Sequence, residues 1–292
     1  MKNLSFLQLL VLVFAICSLV ACTKEESSKY ISGEDITQLL REDLEAGIDI
    51  DLPEGHFYTS ESIFVDSFNG TVSGAGKDKT IIEAAQGFKA LPDPYINRPG
   101  TNVSEMFSVA WSTGDITFRD MTFLITGEAP AEPHNNPFMG TKTTIDNVIA
   151  VTGGIDGPIT VTFKNLKIKG ETSSDPGADR GKNLMWPLIV CGMYDDYRID
   201  MIAENCEVDN SSEVAIEYWY AHGGTGEING NVISNSHIGI WLGAGLEGCE
   251  LTVQDNVFSN MTGPSIDNTG NYPGCFMNNT LDGEAMTDSC PE

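Results

Sequence analysis

Basic residues are scarce in this chain of 292 residues, which has 16 Lys and Arg against 42 Asp and Glu and a formal net charge of −26. A surface that binds nucleic acid needs clustered Lys and Arg to pair with phosphates, so the imbalance excludes nucleic acid as a partner. A bare polyanion is disfavoured for the same reason, unless a divalent cation lies between the two surfaces. Because 41% of the residues are apolar, the chain can still bury a core, and we expect one globular body.

The hydrophobic runs of this chain are too short to span a membrane. The apolar run near the N terminus, 6–16, follows Lys2 and has fewer than the roughly 20 residues of a spanning helix. It is followed by Leu19-Val20-Ala21-Cys22, in which a branched residue and two small or apolar residues precede a cysteine. This pattern resembles a bacterial lipoprotein signal, whose cysteine is acylated before cleavage.

The resemblance implies three segments: a signal peptide at 1–21, an acylated Cys22 with a linker at 22–34, and a domain at 35–292. The residues at 23–26, Thr-Lys-Glu-Glu, look like the signal that sends lipoproteins of some Gram-negative bacteria to the outer face of the cell. We therefore expect an outer-membrane localisation, with a lipid anchor on Cys22 and exposure at the cell surface. An ordinary secretory signal that is cut nearby is the alternative.

Cysteines at zinc-ligand spacing are also absent, so we expect no structural zinc site. Five cysteines remain after the signal and Cys22 are set aside, and an odd number in an oxidising compartment leaves at least one thiol unpaired. A disulfide between Cys275 and Cys290 that fixes the C-terminal tail is one interpretation. Burial of all five as small apolar residues is the other.

One amphipathic helix is predicted. Apolar residues at 36, 39, 40 and 44 repeat with helical spacing between Asp35 and Gly47. After this helix, short β-branched or aromatic runs separated by Gly, Asn and Asp predict strands.

Six segments share a pattern in which two apolar residues, five positions apart, enclose an Asp, Asn or Gly at the third position. Those third residues are 45, 40, 25, 25 and 23 positions apart, and a near-constant period in the twenties with two insertions predicts a solenoid. Asp, Asn and Gly tolerate the left-handed backbone of a sharp corner, and stacked asparagines can hydrogen-bond between repeats. The segments are 118–123, 163–168, 203–208, 228–233, 253–258 and 276–281.

This repeat resembles the right-handed parallel β-helix of the pectin lyase-like superfamily. The segments 50–55, 71–76 and 80–82 look like the opening coils of such proteins. The resemblance implies an all-β fold, a single-stranded right-handed parallel β-helix with a short N-terminal capping helix. The superfamily contains lyases, hydrolases, epimerases, esterases, adhesins and noncatalytic proteins, so the fold leaves the function open.

Three strands, 214–218, 238–242 and 264–268, belong by resemblance to the sheet that bears the substrate groove. If the central isoleucine of each strand points inward, strand alternation places the next residue on the solvent face. At about 4.8 Å per strand, the outer two of these residues lie about 9.6 Å apart, near the upper end of the roughly 6.5–9.5 Å of inverting glycoside hydrolysis. In so acidic a protein, carboxylates placed there by chance are the alternative. The candidates are Glu217, Trp241 and Asp267.

Turns that leave the same sheet carry further candidates. The pair Asp195 and Asp196 can share a proton or bind Ca²⁺, and Arg198 can clamp a uronate. His222 is a candidate acid or base, with a loop or capping role as the alternative, and Trp219 is a candidate for substrate binding. These turns resemble the motifs of polygalacturonase-type glycosidases only in part, so that activity is not carried over.

Two long insertions, 127–144 and 170–186, leave the chain where loops wall the groove in this fold. Arg180, Lys182 and Trp186 form the basic and aromatic cluster of the second insertion. They could contact a sugar acid or supply a lyase base, and a solvated loop is the alternative.

The sequence identifies no cofactor and leaves Ca²⁺ open, with Asp175, Asp179, Asp195 and Asp196 as oxygen ligands. The EF-hand and repeated Gly-Asp calcium motifs are missing.

The partner expected from these features is a polysaccharide, which the protein binds or degrades. Hydrolysis is favoured over β-elimination, because a lyase needs a well-placed base and basic residues are scarce. A noncatalytic glycan-binding or adhesion protein is the alternative.

Overall fold

A computed structural model describes residues 29–89, 105–125, 147–153, 157–170, 187–192 and 198–291. The elements in chain order are α1 (Thr37–Glu45), β1 (Ile50–Leu52), β2 (Gly55–Glu61), β3 (Ile63–Asp66), β4 (Gly70–Gly74), β5 (Thr80–Lys89), β6 (Glu105–Ser112), β7 (Gly114–Leu124), β8 (Asn147–Gly153), β9 (Ile159–Lys169), β10 (Leu188–Gly192), β11 (Ile199–Glu204), β12 (Glu207–Asp209), β13 (Val214–Trp219), β14 (Thr225–Asn229), β15 (Val232–Ser234), β16 (Ile238–Leu242), β17 (Glu250–Gln254), β18 (Val257–Ser259), β19 (Ile266–Asn268), β20 (Gly274–Met277), β21 (Thr280–Leu281) and β22 (Glu284–Ala285).

The predicted amphipathic helix is present as α1. Its apolar face buries Leu40 and Leu44 against β1, β2 and β3, the first strands of the fold. On its other side, Arg41 donates a hydrogen bond to Glu61 over 2.8 Å. In the described part of the chain, no helix has the length and hydrophobicity that crossing a bilayer requires.

The strands of the described residues form two sheets, in which all pairs are parallel except β21 with β22. The smaller sheet has seven strands in the order β3, β6, β8, β10, β13, β16, β19, and each strand pairs with the next one in this order. The larger sheet has 15 strands, and its long strand β9 pairs with β11 through its first half and with β12 through its second half. The chain therefore passes back and forth between the sheets and adds strands to each of them in sequence order. The prediction of a mostly β fold with parallel pairing is confirmed.

The corners predicted from the repeat are confirmed, because the third residue of all six segments has a left-handed backbone. Asn and Asp occupy five of these corners and Gly the sixth, as expected for residues that tolerate a positive φ. Two further series of left-handed corners were not predicted, and they include Asn210, Asn235 and Asn260 in one series and Tyr220 and Gly245 in the other. The six predicted corners are Asp120 (φ 60°), Asn165 (51°), Asn205 (55°), Gly230 (66°), Asp255 (57°) and Asn278 (55°).

Three buried asparagines, Asn231, Asn256 and Asn279, form a ladder one residue after the corners. The Nδ2 of Asn231 donates to the Oδ1 of Asn256 over 2.9 Å, and the Nδ2 of Asn256 donates to the Oδ1 of Asn279 over 3.0 Å. The same Oδ1 atoms accept the backbone N–H groups of Asn231 and Asn256. Hydrogen bonding between the segments was predicted at the third residues, and there the Nδ2 of Asn165 donates to the Oδ1 of Asp120 over 2.9 Å. In the last three segments the ladder runs through the fourth residue instead.

The core lies between the sheets. Ile216 and Ile240 are fully buried there, and Ile266 is partly buried and packs against the same core. The inward direction predicted for these three isoleucines is therefore confirmed.

The C-terminal tail is fixed by a disulfide between Cys275 and Cys290, as one interpretation of the cysteines predicted. Cys191, Cys206 and Cys249 are buried. The other interpretation, burial of all five as small apolar residues, is therefore right for these three and wrong for the disulfide pair, in which Cys290 is exposed. Burial raises the pKa of Cys206 to about 12, so this thiol stays protonated and unreactive.

We expect Asn256→Ala to lower the free energy of unfolding by about 3 kcal/mol or more. The substitution removes the acceptor of the Asn231 N–H and the amide that donates to the carbonyl of Ile228, and each buried unsatisfied group costs about 1–3 kcal/mol. The Nδ2 of Asn231 also loses one of its two bonds and keeps the one to the carbonyl of Ala203. Urea denaturation measures the loss. Gln254→Ala removes an amide from the outer face of β17 and is the control, and an equal loss in both variants would contradict the role of the ladder.

Candidate functional site

Glu217, Trp241 and Asp267 lie side by side on three successive strands of the smaller sheet. Glu217 of β13 pairs with Trp241 of β16, which pairs with Asp267 of β19. Their side chains point away from the core, because the neighbouring isoleucines point into it. The predicted register is present, and we call these three residues the carboxylate row.

Glu217 is buried, whereas the strand alternation led us to expect it on the solvent face. Its exposed fraction is 4%, and its neighbour in register, Ile189, is only 6% exposed. Alternation predicts the side of the sheet to which a residue points, but it does not predict whether that side is open to solvent. Asp267, at the other end of the row, is partly exposed as expected.

The carboxyl group of Glu217 is in an unusual environment. Its Oε2 atom is buried and has no hydrogen-bond partner among the described residues. Burial raises the pKa of Glu217 to about 8, because a charged carboxylate loses its hydration there. At neutral pH most molecules therefore carry a protonated Glu217, which can donate a proton.

Trp219, Tyr220 and Trp241 form a cluster at the end of the smaller sheet, which we call the aromatic platform. The ring centroids of Trp219 and Trp241 are 6.1 Å apart, and those of Trp219 and Tyr220 are 4.7 Å apart. All three side chains are partly exposed. The platform offers a sugar the apolar faces that stack on its ring.

The backbone permits this close approach of the rings. A Cβ atom at Gly243 would lie 2.9 Å from the Cβ of Trp219 and 3.1 Å from the Cη2 of Trp241, so only glycine fits. Tyr220 has a left-handed backbone with φ 50°, which is rare for a bulky residue and occurs most often at functional sites.

The indole of Trp241 is held in place by a short chain of hydrogen bonds. Its Nε1 donates to the Oγ1 of Thr269 over 2.6 Å, and this Oγ1 lies 3.4 Å from the Oδ1 of Asp267. The stacking surface and the exposed carboxylate of the row are thus joined through Thr269.

Tyr272 adds a second polar group beside the platform. Its hydroxyl accepts a hydrogen bond from the N–H of Gly245 over 2.9 Å and lies 3.5 Å from the Oε1 of Glu247. Our sequence reasoning did not single out Tyr220, Thr269, Tyr272 or Glu247. The spacing that predicted the corners also brings 220 and 245 into register, and it could have found Tyr220.

Arg198 directly precedes β11 of the larger sheet, and His222 lies in the turn after β13. The Nε of Arg198 donates to both carboxylate oxygens of Asp200 at 2.9 Å, so the guanidinium is already engaged. Partial burial raises the pKa of Asp200, but hydrogen bonds from Thr225 and Arg198 outweigh it and lower the pKa overall. His222 is partly buried in the turn between β13 and β14.

Several predicted site residues lie outside the described residues. They are Cys22, the Ca²⁺ ligand candidates Asp175, Asp179, Asp195 and Asp196, and the cluster of Arg180, Lys182 and Trp186. Within the ranges that the structure describes, no three His, Cys, Asp or Glu side chains are grouped so that they could hold a metal ion.

The chain is thus a mostly β protein with parallel sheets, and an aromatic and acidic site lies on the outer face of the smaller sheet. No protein-family model matches it, and no curated protein matches it.

Two solved structures are similar to the chain. The pre-mature bacteriophage phi29 gene product 12 is 14% identical, with a TM-score of 0.25, and the match covers 94% of this chain and 54% of that one. The mannuronan C-5 epimerase AlgE4 A-module of Azotobacter vinelandii is 11% identical, with a TM-score of 0.23, and the match covers 91% of this chain and 97% of that one. The chain therefore spans about half the length of the phage protein, and similarities this low carry no argument about function.

Glu217→Gln should remove a pH dependence of stability. The pKa of Glu217 is raised from 4.5 to about 8 in the folded protein, so the folded state holds a proton that the unfolded state releases between these values. Wild-type stability should fall by on the order of 4 kcal/mol, relative to the variant, as the pH rises through this window. Urea denaturation at a series of pH values measures the difference. Glu227→Gln, at an exposed position of β14, is the control, and parallel curves for wild type and Glu217→Gln would contradict the assignment.

Proposed function

We propose that the two parallel sheets are faces of a single-stranded right-handed parallel β-helix. Two observations support this proposal. Both sheets gain strands in sequence order, and left-handed corners recur about 25 residues apart in three separate series. A solenoid of this kind carries its binding residues on a rigid, flat face.

We propose that the protein binds polysaccharide at the aromatic platform and hydrolyses it through the carboxylate row. The observation that carries this proposal is the contact of Trp219 with Trp241. Trp241 lies in register between the buried, protonated carboxyl of Glu217 and the partly exposed carboxylate of Asp267. Stacking rings bordered by carboxyl groups suit the apolar face and the hydroxyl groups of a sugar.

In the proposed reaction, Glu217 is the general acid and Asp267 the general base. The protonated carboxyl of Glu217 gives its proton to the oxygen of the leaving sugar, while Asp267 takes a proton from the attacking water. The two residues are two strands apart, about 9.6 Å by the spacing of parallel strands, which leaves room for that water in an inverting mechanism. Elimination is less well supported, because basic residues are scarce in this chain.

The second candidate function is noncatalytic glycan binding or adhesion. The burial of Glu217 favours it, because an acid that is 4% exposed has little access to a bond in a bound sugar. In this case the platform stacks on the glycan and the carboxylates only accept hydrogen bonds.

Incubation of the purified protein with neutral, amino-sugar and uronic-acid polysaccharides, with and without Ca²⁺, tests the reaction. New reducing ends are the expected result, whereas the ultraviolet absorbance of an unsaturated product would show a lyase instead. Glu217→Gln and Asp267→Asn should each lower kcat, measured at saturating substrate, by roughly 10²–10⁴-fold, because general acid and base catalysis contributes about this factor. Turnover that survives both substitutions would overturn the catalytic assignment.

Binding is tested separately by Trp241→Ala, which removes the ring that Thr269 holds. Stacking on an aromatic face contributes about 1 kcal/mol, so affinity should fall by roughly 5- to 10-fold. Titration calorimetry measures the change, and Tyr58→Ala, in β2 near the N-terminal helix, is the control. An unchanged affinity in Trp241→Ala would contradict the platform as the binding surface.

The localisation is also a proposal: a lipid on Cys22 anchors the protein in the outer membrane, with the domain at the cell surface. The sequence pattern before Cys22 supports it. Cys22→Ser should abolish incorporation of labelled palmitate and shift the protein out of the membrane fraction. Cys17→Ser, within the proposed signal, should leave labelling unchanged, and labelling that persists in Cys22→Ser would contradict the anchor.

A further inference from the structure

The carboxylates beside the aromatic platform have no cationic partner within the described residues. Asp267 is adjacent to the hydroxyl of Thr269, and Glu247 to the hydroxyl of Tyr272, but neither carboxylate forms an ion pair. Elsewhere the scarce cations are paired with acids. On the outer face of the larger sheet Lys77 pairs with Glu207, Lys164 with Glu204, and Lys167 with both Asp78 and Glu207.

Arg198, the described basic residue that directly precedes β11, does not supply the missing cationic partner. Its Nε is held by both oxygens of Asp200, and Asp200 also accepts hydrogen bonds from the N–H and the hydroxyl of Thr225 at 2.7 and 2.6 Å. The carboxylate of Asp200 offsets the positive charge of Arg198. Among the described residues, the charges at the platform are therefore those of carboxylates, which favour a positive ligand.

Glu217 points to a ligand independently of the exposed acids. It is more than nine-tenths buried, it lies on the same face as Trp241 and directly beside it in register, and its Oε2 has no partner in the described part of the chain. A buried polar atom without a partner is rare in folded proteins, and it becomes satisfied when a ligand brings a donor to it. Protonated amino groups and hydroxyl groups are both such donors.

We propose that the platform selects a polysaccharide of protonated amino sugars, such as glucosamine units, over neutral and uronic-acid glycans. Asp267 pairs with the ammonium group, while the sugar ring and its ammonium lie over the indole of Trp241, where stacking and cation–π attraction act together. The inference rests on the proposed glycan binding and names its substrate class. It does not depend on whether the bond is cleaved.

Three oligosaccharides test this specificity by titration calorimetry with the purified protein in mildly acidic buffer. They are a glucosamine oligomer, an N-acetylglucosamine oligomer of the same length and an oligogalacturonate. The glucosamine oligomer should bind roughly 5- to 10-fold more tightly than its N-acetylated counterpart, which has lost the charge, and the oligogalacturonate should bind most weakly. The preference should shrink as salt is added, because salt screens the charge interaction.

Two variants and a control assign the preference to residues. Asp267→Asn should bring the affinities for the glucosamine and N-acetylglucosamine oligomers to within about 2-fold, by weakening the former alone. Trp241→Ala should weaken both, since both stack. Glu227→Gln makes the same change of charge at an exposed position of β14 and should leave the preference intact.

The outcomes separate this inference from the proposed function. If none of the oligomers and none of the polysaccharides in the hydrolysis panel binds, the proposed function is wrong and the inference with it. If the N-acetylated oligomer or the oligogalacturonate binds as tightly as the glucosamine oligomer, the amino-sugar preference is wrong and glycan binding stands. A preference that Glu227→Gln removes as effectively as Asp267→Asn would also overturn the assignment, because net charge alone would explain it.

Discussion

The structure depends on one constraint, which is that every repeat turns at the same place as its neighbours. Parallel strands keep their register only if the corners between them stack, and a corner of this kind needs a left-handed residue at a fixed position. The buried ladder of Asn231, Asn256 and Asn279 stabilises these corners from the inner side of the strands. Its amide oxygens accept the backbone N–H groups that the turn takes out of the sheet, and its amide nitrogens donate to backbone carbonyls.

The same constraint builds the site. Residues about 25 positions apart in the sequence become neighbours on the outer face of the smaller sheet, so Glu217, Trp241 and Asp267 need no loop to bring them together. Gly243 then lets two indoles approach each other across one strand spacing. A fixed backbone of this kind orders the rings before a ligand arrives and lowers the entropy that binding costs.

The parts of the fold that local sequence determines could be predicted. The left-handed corners follow from Asn, Asp and Gly at fixed positions, the helix from its spacing, and the carboxylate row from alternation with the isoleucines. The burial of Glu217 could not be predicted, because it depends on what packs over a sheet face and not on the strand itself. Tyr220 was missed because a bulky residue with a positive φ carries no signal of its own, and Tyr272 because its partners Gly245 and Glu247 are distant in sequence.

The C-terminal tail bears on whether two copies of this molecule can associate through their sheet edges. The edge strand of a sheet presents free N–H and C=O groups, to which a strand of a second chain could add. Here β22 runs antiparallel beside β21, Ser289 pairs in the antiparallel sense with Phe276, and the disulfide fastens the segment in place. The smaller sheet ends in β19, which has three residues and therefore few backbone groups that a strand of a second chain could pair with. The tail thus covers the last strands of the larger sheet, so their backbone groups are paired within the chain and are not open to a second copy.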